Sequence, residues 1–576
     1  MHTYNADITK LQRHYLNPNF NVDNWENIVP IFEELNARTL NCKTALMQWL
    51  TDMSEVEAAI SEDACWRQIK MTCDTENIAL RTAFEFFCME IQPKLQPWSD
   101  KLNKKLIACP FVNELPEAAF FTYLRSVKKS IALYQDANVP LQAELSILQQ
   151  KFGEITGAMM VTINSKEYTL QQAAKFLENP DRKLRQTAYE AINNRRQQSV
   201  APLNDLFNKL ILIRHQMALN AGFKNYTNYR FEELGRFDYA VADCEAFSEG
   251  VALHVMPLVN EIYVHKKNKL GVQNFCPYDV DAEPVGVEPL QPFTNSDDLL
   301  QKSIACFEDV NPFFAACLRK MKALGNFDLE SRKGKAPGGY NCPLTETGAP
   351  FIFMNAAGQM SDVTTMVHEG GHAVHSFLAH PLKLSSFKEY PMEIAEVASM
   401  AMELFSMDYW HHFFTNEADL KRAKIHQLER VITIFPWIAT IDSFQHWLYA
   451  NPAHSNEQRA EAWELILQKF SNNVIDYTGY ENYRSYQWQK QLHLYEVPFY
   501  YIEYGIAQLG AIGMWQQYKQ NKDAALQNYC NALALGGTKT LPELYKTAGL
   551  NFDFSPTQIG KLMQFVKAEL DILLNN

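Results

Sequence analysis

The stretch VHEGGHAVH, Val367–His375, places three histidines, a glutamate and an adjacent pair of glycines within nine residues. His368 and His372 stand four residues apart, so on a helix they project from one face, with Glu369 directly after the first of them. Each glycine costs about 1 kcal/mol relative to alanine inside a helix. A Gly370-Gly371 pair in a helical stretch therefore needs a return from packing or from chemistry.

Two imidazoles on one face can place their nitrogens about 2.0 to 2.1 Å from a single ion. The pattern H-E-x-x-H is the zinc-peptidase signature, in which the glutamate is no ligand but takes a proton from the attacking water. A tetrahedral site that keeps one open position needs a third protein ligand. His375 is the nearest in sequence, but one straight helix cannot easily wrap three side chains around an ion. The longer H-E-x-x-H-x-x-G-x-x-H pattern also fails, because Leu378 occupies its last slot. The stretch PMEIAEVASMAMELF is the better source. It opens with Pro391 and presents Glu393, Glu396 and Glu403 on one face of an otherwise apolar helix. Carboxylates buried there need a cation or donors. Gly370 and Gly371 then admit a neighbouring helix or a substrate strand close to the metal, or serve helix packing alone.

The rest of the chain sets the frame. It has 576 residues, 47% hydrophobic and 21% charged, a composition typical of folded soluble proteins. With 53 basic against 66 acidic residues the net charge is −13, so no positive field favours nucleic acid or anionic lipid. The start, MHTYNADITK, carries no secretory signal pattern, and no long charge-free apolar run suggests a membrane span. A cytoplasmic location is the expectation. Eleven cysteines without a C-x-x-C pair suit reduced thiols, and Cys42, Cys65, Cys73, Cys88 and Cys109 fall in helix-like apolar segments that predict burial.

Most segments read as amphipathic helix, among them LQAELSILQQKFGEITGAMM and AEAWELILQKFSNN, so the protein is expected to be mainly α. MVTINSKEYTL alternates around Asn164-Ser165 and predicts a hairpin, and APFIFMN predicts a short strand. NPDRKLRQTAYEAINNRR restarts a helix after the hairpin, with Pro180 and Asp181 at its first turn. The proline-rich NFCPYDVDAEPVGVEPLQPFTN predicts an irregular connector. A boundary near residue 195 divides a helical N-terminal region, 1–195, from a larger region, 196–576, that carries the candidate chemistry. No fixed-period repeat is evident.

These residues resemble the thimet oligopeptidase and oligoendopeptidase F group of metallopeptidases, in particular its bacterial oligoendopeptidase F branch. SDVTTMVHEGGHAVHSF resembles the group's metal-binding block, and AEVASMAMEL resembles the segment that supplies its third ligand, which selects Glu396 over Glu393. RKGKAPGGY resembles the Gly-rich turn before its substrate-facing strand, and LALGGTKTLPELYKTAGLNF resembles its C-terminal end. MMVTINSKEYTLQQAAKFLENPDRKLRQTAYEAI resembles the domain preceding the catalytic region. The likeness spans residues 110 to 560 and is weakest before them.

The resemblance implies a nearly all-α, two-lobed zincin-like body with a few short strands and a deep channel that admits short peptides. It implies one zinc ion per chain, held by His368, His372 and Glu396, with Glu369 as the base. In HLYEVPFYYIEYG, Pro498 is expected to open a helix with Tyr500, Tyr501 and Tyr504 on one side. The resemblance assigns His493, Tyr500 and Tyr504 to transition-state stabilisation, with Tyr501 in reserve. Asp362 and Glu403 are expected to support the ligating imidazoles, His375 to support them or to pack, and FIFMNAAG to be an edge strand that pairs with extended peptide. The expected activity is endoproteolysis of short oligopeptides. The same motif also serves a metallocarboxypeptidase or dipeptidyl carboxypeptidase, and a helical peptide-binding scaffold without turnover is a rival of a different class, disfavoured by the presence of Glu369. The sequence is silent on oligomeric state.

Overall fold

A computed structural model describes residues 4–332, 334–336 and 338–575. Lys333 and Pro337 of the RKGKAPGGY segment lie outside the described residues. The protein is mainly helical, as expected, with five short strands in two small sheets among the described residues. No helix among the described residues is long and apolar enough to cross a membrane.

The chain forms two compact units, each assembled from three separate stretches. One comprises the chain up to Tyr134, Leu290–Lys424 and Ala507–Phe552; the other comprises Gln135–Pro289, Ile425–Ile506 and the chain from Asp553 onward. The boundary near residue 195 is a division along the sequence, whereas these units are divisions in space; residue 195 falls in the helix Arg182–Gln197.

In the second unit, strands β1 (Met160–Ile163) and β2 (Lys166–Thr169) form the expected antiparallel hairpin, with Ile163 opposite Lys166. Asn164 and Ser165 both take left-handed φ, 51° and 61°, the pattern of a type I′ turn whose twist matches its strands. Val161 and Ile163 point inward against Ala173, Ala188 and Ile192. The helix Arg182–Gln197 starts where expected: the Asp181 carboxylate accepts from the backbone N–H groups of Lys183 and Leu184. A short helical turn, Leu170–Ala174, lies between hairpin and helix, capped by Thr169 and Gln172.

In the first unit, β3 (Phe327–Glu330), β4 (Tyr340–Cys342) and β5 (Phe351–Ala356) form a sheet in the order β3-β5-β4, with β3 parallel and β4 antiparallel to β5. β5 is therefore the central strand, which overturns the expectation of an edge at FIFMNAAG. The physical reason lies in its unbroken apolar run: Phe351 to Met354 are all buried, as in a strand covered on both faces, and both of its hydrogen-bonding sides are taken. Tyr340 on β4 stacks on Phe353 with ring centroids 4.8 Å apart.

Six helices carry the residues of interest: α1 (Val241–Gly250), α2 (Ser296–Val310), α3 (Met360–Ala379), α4 (Met392–Ser406), α5 (Glu417–Ala450) and α6 (Tyr501–Gln520). None of the eleven cysteines forms a disulfide among the described residues. Cys109 is buried as expected, but Cys65, Cys73 and Cys88 are half-buried and Cys42 is exposed. Cys42 sits at a helix start, where its sulfur accepts the Ala45 N–H at 3.4 Å, so a capping role places it at the surface.

Candidate metal centre

Helix α3 is set at its start by Asp362, whose carboxylate accepts the backbone N–H groups of Ala357 and Gln359 at 2.8 Å each. Asp362 thus caps the helix, and its contacts are with the helix start in place of the expected contact with a ligating imidazole. One and a half turns on, His368 and His372 project together, their rings edge to face with centroids 5.0 Å apart. Glu396 comes to them from α4. Its Oε2 lies 3.4 Å from His368 Nε2 and 3.7 Å from His372 Nε2, and the three donor atoms all fall within 4.8 Å of one another.

Gly371 explains how α4 comes so near. A Cβ at that position would stand 2.6 Å from both the Ala398 carbonyl oxygen and the Ser399 Cα, an overlap that real structures do not show. Helix α3 therefore rests on the backbone of α4 less than one turn beyond Glu396, a fit open only to glycine. Gly370 serves a different neighbour: a Cβ there would meet the Phe307 ring, on α2, at 2.6 Å. Gly371 thus admits the backbone of α4, and Gly370 admits a ring.

The buried face of α4 carries Glu393, Glu396 and Glu403, all about 5% exposed or less, so the acidic stripe is an interior feature. Glu403 Oε1 lies 2.7 Å from His368 Nδ1, and the Ser399 hydroxyl donates to Glu396 Oε2 at 3.1 Å. With its proton on Nδ1 and shared with Glu403, the His368 ring turns the Nε2 lone pair toward Glu396 and His372. Glu393 lies outside the cluster. Among the three acids, the donor set selects Glu396.

Electrostatics report the same demand for positive charge. Burial works against a charged His368, yet its hydrogen bonds to Glu396 and Glu403 hold its pKa well above the ordinary histidine value. Burial also disfavours charge on Glu396, but the hydrogen bond from His368 and the nearby imidazole of His372 bring its pKa down to about 2. His372 is pushed down to about 4, chiefly by burial, and so offers a neutral imidazole. Glu369, 7% exposed, is pushed up to about 7 by burial, His368 opposing and Glu396 and Glu403 adding to it. The two carboxylates on either side of the His368 ring thus favour positive charge at this place. Two imidazole nitrogens and one carboxylate oxygen, with a second carboxylate behind one imidazole, fit a zinc-class divalent ion.

His375 is not part of this cluster. It is 1% exposed and stacks on Tyr390 at 3.6 Å between ring centroids, and burial pulls its pKa well below the usual value. Its role is packing. The residues that sequence reading did not single out are Phe307, which fills the space of the missing Cβ at 370, and Asn341, whose amide donates to the Glu369 carbonyl oxygen at 3.2 Å. An Asn on a three-residue strand gives no periodic signal that could have marked it.

The second unit gathers the other candidates. Gln491 donates to His493 Nδ1 at 2.7 Å, which leaves the ring proton on Nε2, 3.4 Å from the Tyr504 hydroxyl. Trp437 in turn donates to Gln491 at 2.8 Å. His493 lies 5.8, 5.0 and 5.7 Å from the rings of Tyr500, Tyr501 and Tyr504. Tyr501 is buried, while Tyr500 and Tyr504 are half-exposed. Pro498 does not open the helix, contrary to expectation: α6 begins at Tyr501, after a turn in which Phe499 takes a left-handed φ of 66°. The turn therefore places Tyr500, whereas helical spacing places only Tyr501 and Tyr504.

The description Peptidase family M3 matches residues 175–559, two thirds of the chain, and Peptidase M3 N-terminal domain matches residues 17–134. The chain belongs to peptidase family M3. Relatives of this M3 peptidase include an oligoendopeptidase F homolog of Borreliella burgdorferi, 23% identical over 467 residues, which cover 78% of this chain and 74% of that one. Oligopeptidase PepF of Bacillus subtilis is 22% identical over 71% of this chain, and the match spans only 60% of PepF. A crystal structure assigned to an oligoendopeptidase F superposes with a TM-score of 0.90 at 25% identity, covering 96% of this chain and 98% of that one. The N-terminal match extends the family likeness into residues where the sequence resemblance was weakest. M3 membership makes the protein a metalloendopeptidase and implies a metal cofactor.

Proposed function

We propose that this M3 peptidase is a zinc-dependent oligoendopeptidase that cuts internal bonds of short unstructured peptides. The observation that carries the reading is the convergence of His368, His372 and Glu396 beside Glu369, on two helices held together at Gly371. When bound, zinc supplies Lewis acidity at the scissile carbonyl and lowers the pKa of a water from about 15.7 toward 7. Glu369 accepts the proton of the attacking water and returns it to the leaving amine. Glu403 holds the His368 ring with its Nε2 lone pair available.

His493, Tyr500 and Tyr504 are the proposed donors to the carbonyl oxygen as it gains charge. Supporting this, Gln491 orients the His493 ring, and Tyr500 and Tyr504 are less buried than Tyr501. Loss of one such donor typically costs about 2.7 to 4 kcal/mol of transition-state stabilisation. Every residue in these roles lies beyond residue 195, which supports assigning the chemistry to 196–576. Eleven free cysteines support a reducing, cytoplasmic location.

An internally quenched, end-blocked peptide of roughly ten residues tests the reading, with and without a chelator. Internal cleavage that stops on chelation and returns with zinc is the expected result. Cleavage restricted to peptides with a free C-terminal carboxylate would overturn it in favour of a carboxypeptidase.

A further inference from the structure

A second group of ligand-type side chains lies in the second unit and shares no residue with the first. Asp442 and His446 stand one turn apart on α5, and Cys244 comes from α1; one Sγ, one carboxylate oxygen and one imidazole nitrogen lie within 4.8 Å of one another. Bonds of about 2.0 to 2.3 Å in a tetrahedral site put ligand atoms roughly 3.3 to 3.8 Å apart; Asp442 Oδ2 and His446 Nε2 already stand 3.3 Å apart, and the sulfur needs to come closer by about 1 Å at most.

The second observation is what the carboxylate lacks. Asp442 is 1% exposed, and neither of its oxygens accepts a hydrogen bond among the described residues. His446 Nε2, also buried, lies 3.3 Å from Asp442 Oδ2 without making a hydrogen bond to it. A carboxylate and an imidazole nitrogen left facing each other without hydrogen bonds in the interior call for a charge between them, since a buried ion without donors is costly. Cys244, 1% exposed, completes the triangle.

We propose that Cys244, Asp442 and His446 form a second metal site, structural in role, that takes a zinc-class divalent ion. Thiolate, imidazole and carboxylate together are a zinc-type donor set, with the fourth position left to a water. The ion would tie α1 to α5 and fix the His446 ring. That ring packs at 5.0 Å on Phe499, the left-handed residue just before the tyrosine cluster, while neighbouring Gln445 accepts the Phe499 N–H at 2.5 Å. The site therefore steadies the turn that places Tyr500.

Cobalt(II) separates the two sites, because only this one contains sulfur. The full-length protein is stripped with a chelator, loaded with Co²⁺, assayed for bound metal and scanned for a near-ultraviolet thiolate-to-cobalt charge-transfer band. Two ions per chain and a thiolate band are expected. Cys244→Ser should lose the band and one ion, whereas Glu396→Ala should lose the other ion and keep the band. Should Cys244→Ser fold poorly, Asp442→Asn, which keeps the side-chain volume, is expected to lose one ion and to weaken or abolish the band. A wild-type protein that binds one ion and shows no thiolate band overturns the proposal, as does a band unchanged in both Cys244→Ser and Asp442→Asn.

Discussion

Gly371 and Ser399 touch backbone to backbone: a Cβ on the first would lie 2.6 Å from the Cα of the second. Since Ser399 follows Glu396 by three residues on α4, the separation of the two helices at this point sets how far the Glu396 carboxylate reaches toward His368 and His372. Gly371→Ala should push the helices apart. Overpacking of this kind costs about 1 to 3 kcal/mol, and the displaced carboxylate should weaken metal binding as well. Chelator competition and thermal unfolding measure the two effects. An alanine variant with unaltered zinc affinity would show that the contact does not govern the site.

Glu403 acts one step behind the donors, through its 2.7 Å contact with His368 Nδ1. Glu403→Gln keeps the shape but removes the negative charge that favours the Nδ1 proton. Loss of such a supporting partner typically lowers metal affinity or activity 10- to 100-fold, and that is the expected effect. Titration with a competing zinc indicator would read it directly, and adding zinc in excess should recover much of the activity.

Glu369 should separate binding from turnover. Glu369→Gln retains both imidazoles and Glu396, so metal content should match the wild type. Turnover should fall at least 10²- to 10⁴-fold, the usual contribution of a positioned acid-base group. Metal analysis beside steady-state kinetics on the quenched peptide provides the check, and wild-type kcat in this variant would remove Glu369 from the mechanism.

Much of this site was legible because its signals are local. Four-residue spacing fixes a common face for His368 and His372, and an apolar helix carrying three acids cannot lie in solvent, so the burial of Glu393, Glu396 and Glu403 followed. Spacing alone could not choose among those acids; the choice of Glu396 came from resemblance, and in the structure it is the acid that lies near both imidazoles. Contacts distant in sequence were out of reach. Nothing in FIFMNAAG says that β4 will pair with β5 on the side away from β3, and so the strand was misread as an edge. Asp362 departs from expectation for a related reason: a polar residue near a motif can cap a helix as readily as support a ligand, and only three-dimensional neighbours decide, as they also choose packing from the two roles open to His375.

Acid sensitivity should arise at Asp328, which accepts from Lys335 Nζ at 2.8 Å and from Arg332 at 2.6 Å. Burial alone would raise its pKa, but the hydrogen bonds from Arg332 and Lys335 outweigh it and hold the carboxyl well below the usual range. A depressed folded-state pKa stabilises fully above the unfolded value of about 3.9, and that contribution is lost as pH falls toward the folded value. Asp328→Asn should therefore be less stable than wild type near neutral pH, with the gap narrowing in acid. Urea unfolding of both proteins at neutral pH and in acid tests this; a gap that does not change with pH would rule out the linkage.

Tyr504 and Tyr501 offer a paired test of the proposed donors. Both rings surround His493, but Tyr504 is partly exposed with its hydroxyl 3.4 Å from His493 Nε2, whereas Tyr501 is buried, with burial pushing its pKa up to about 12. If a phenol donates to the oxygen that gains charge in the transition state, its loss should lower kcat and leave KM nearly unchanged. Tyr504→Phe is expected to reduce kcat by about 10²- to 10³-fold, the usual cost of one such donor, while Tyr501→Phe should stay close to wild type. His493→Gln should fall in the same direction as Tyr504→Phe, and the double variant by less than the product of the two, because the histidine and the phenol share one contact. Should Tyr504→Phe keep full kcat while Tyr500→Phe loses it, the donor is the residue placed by the Phe499 turn, and helical spacing has no part in its placement.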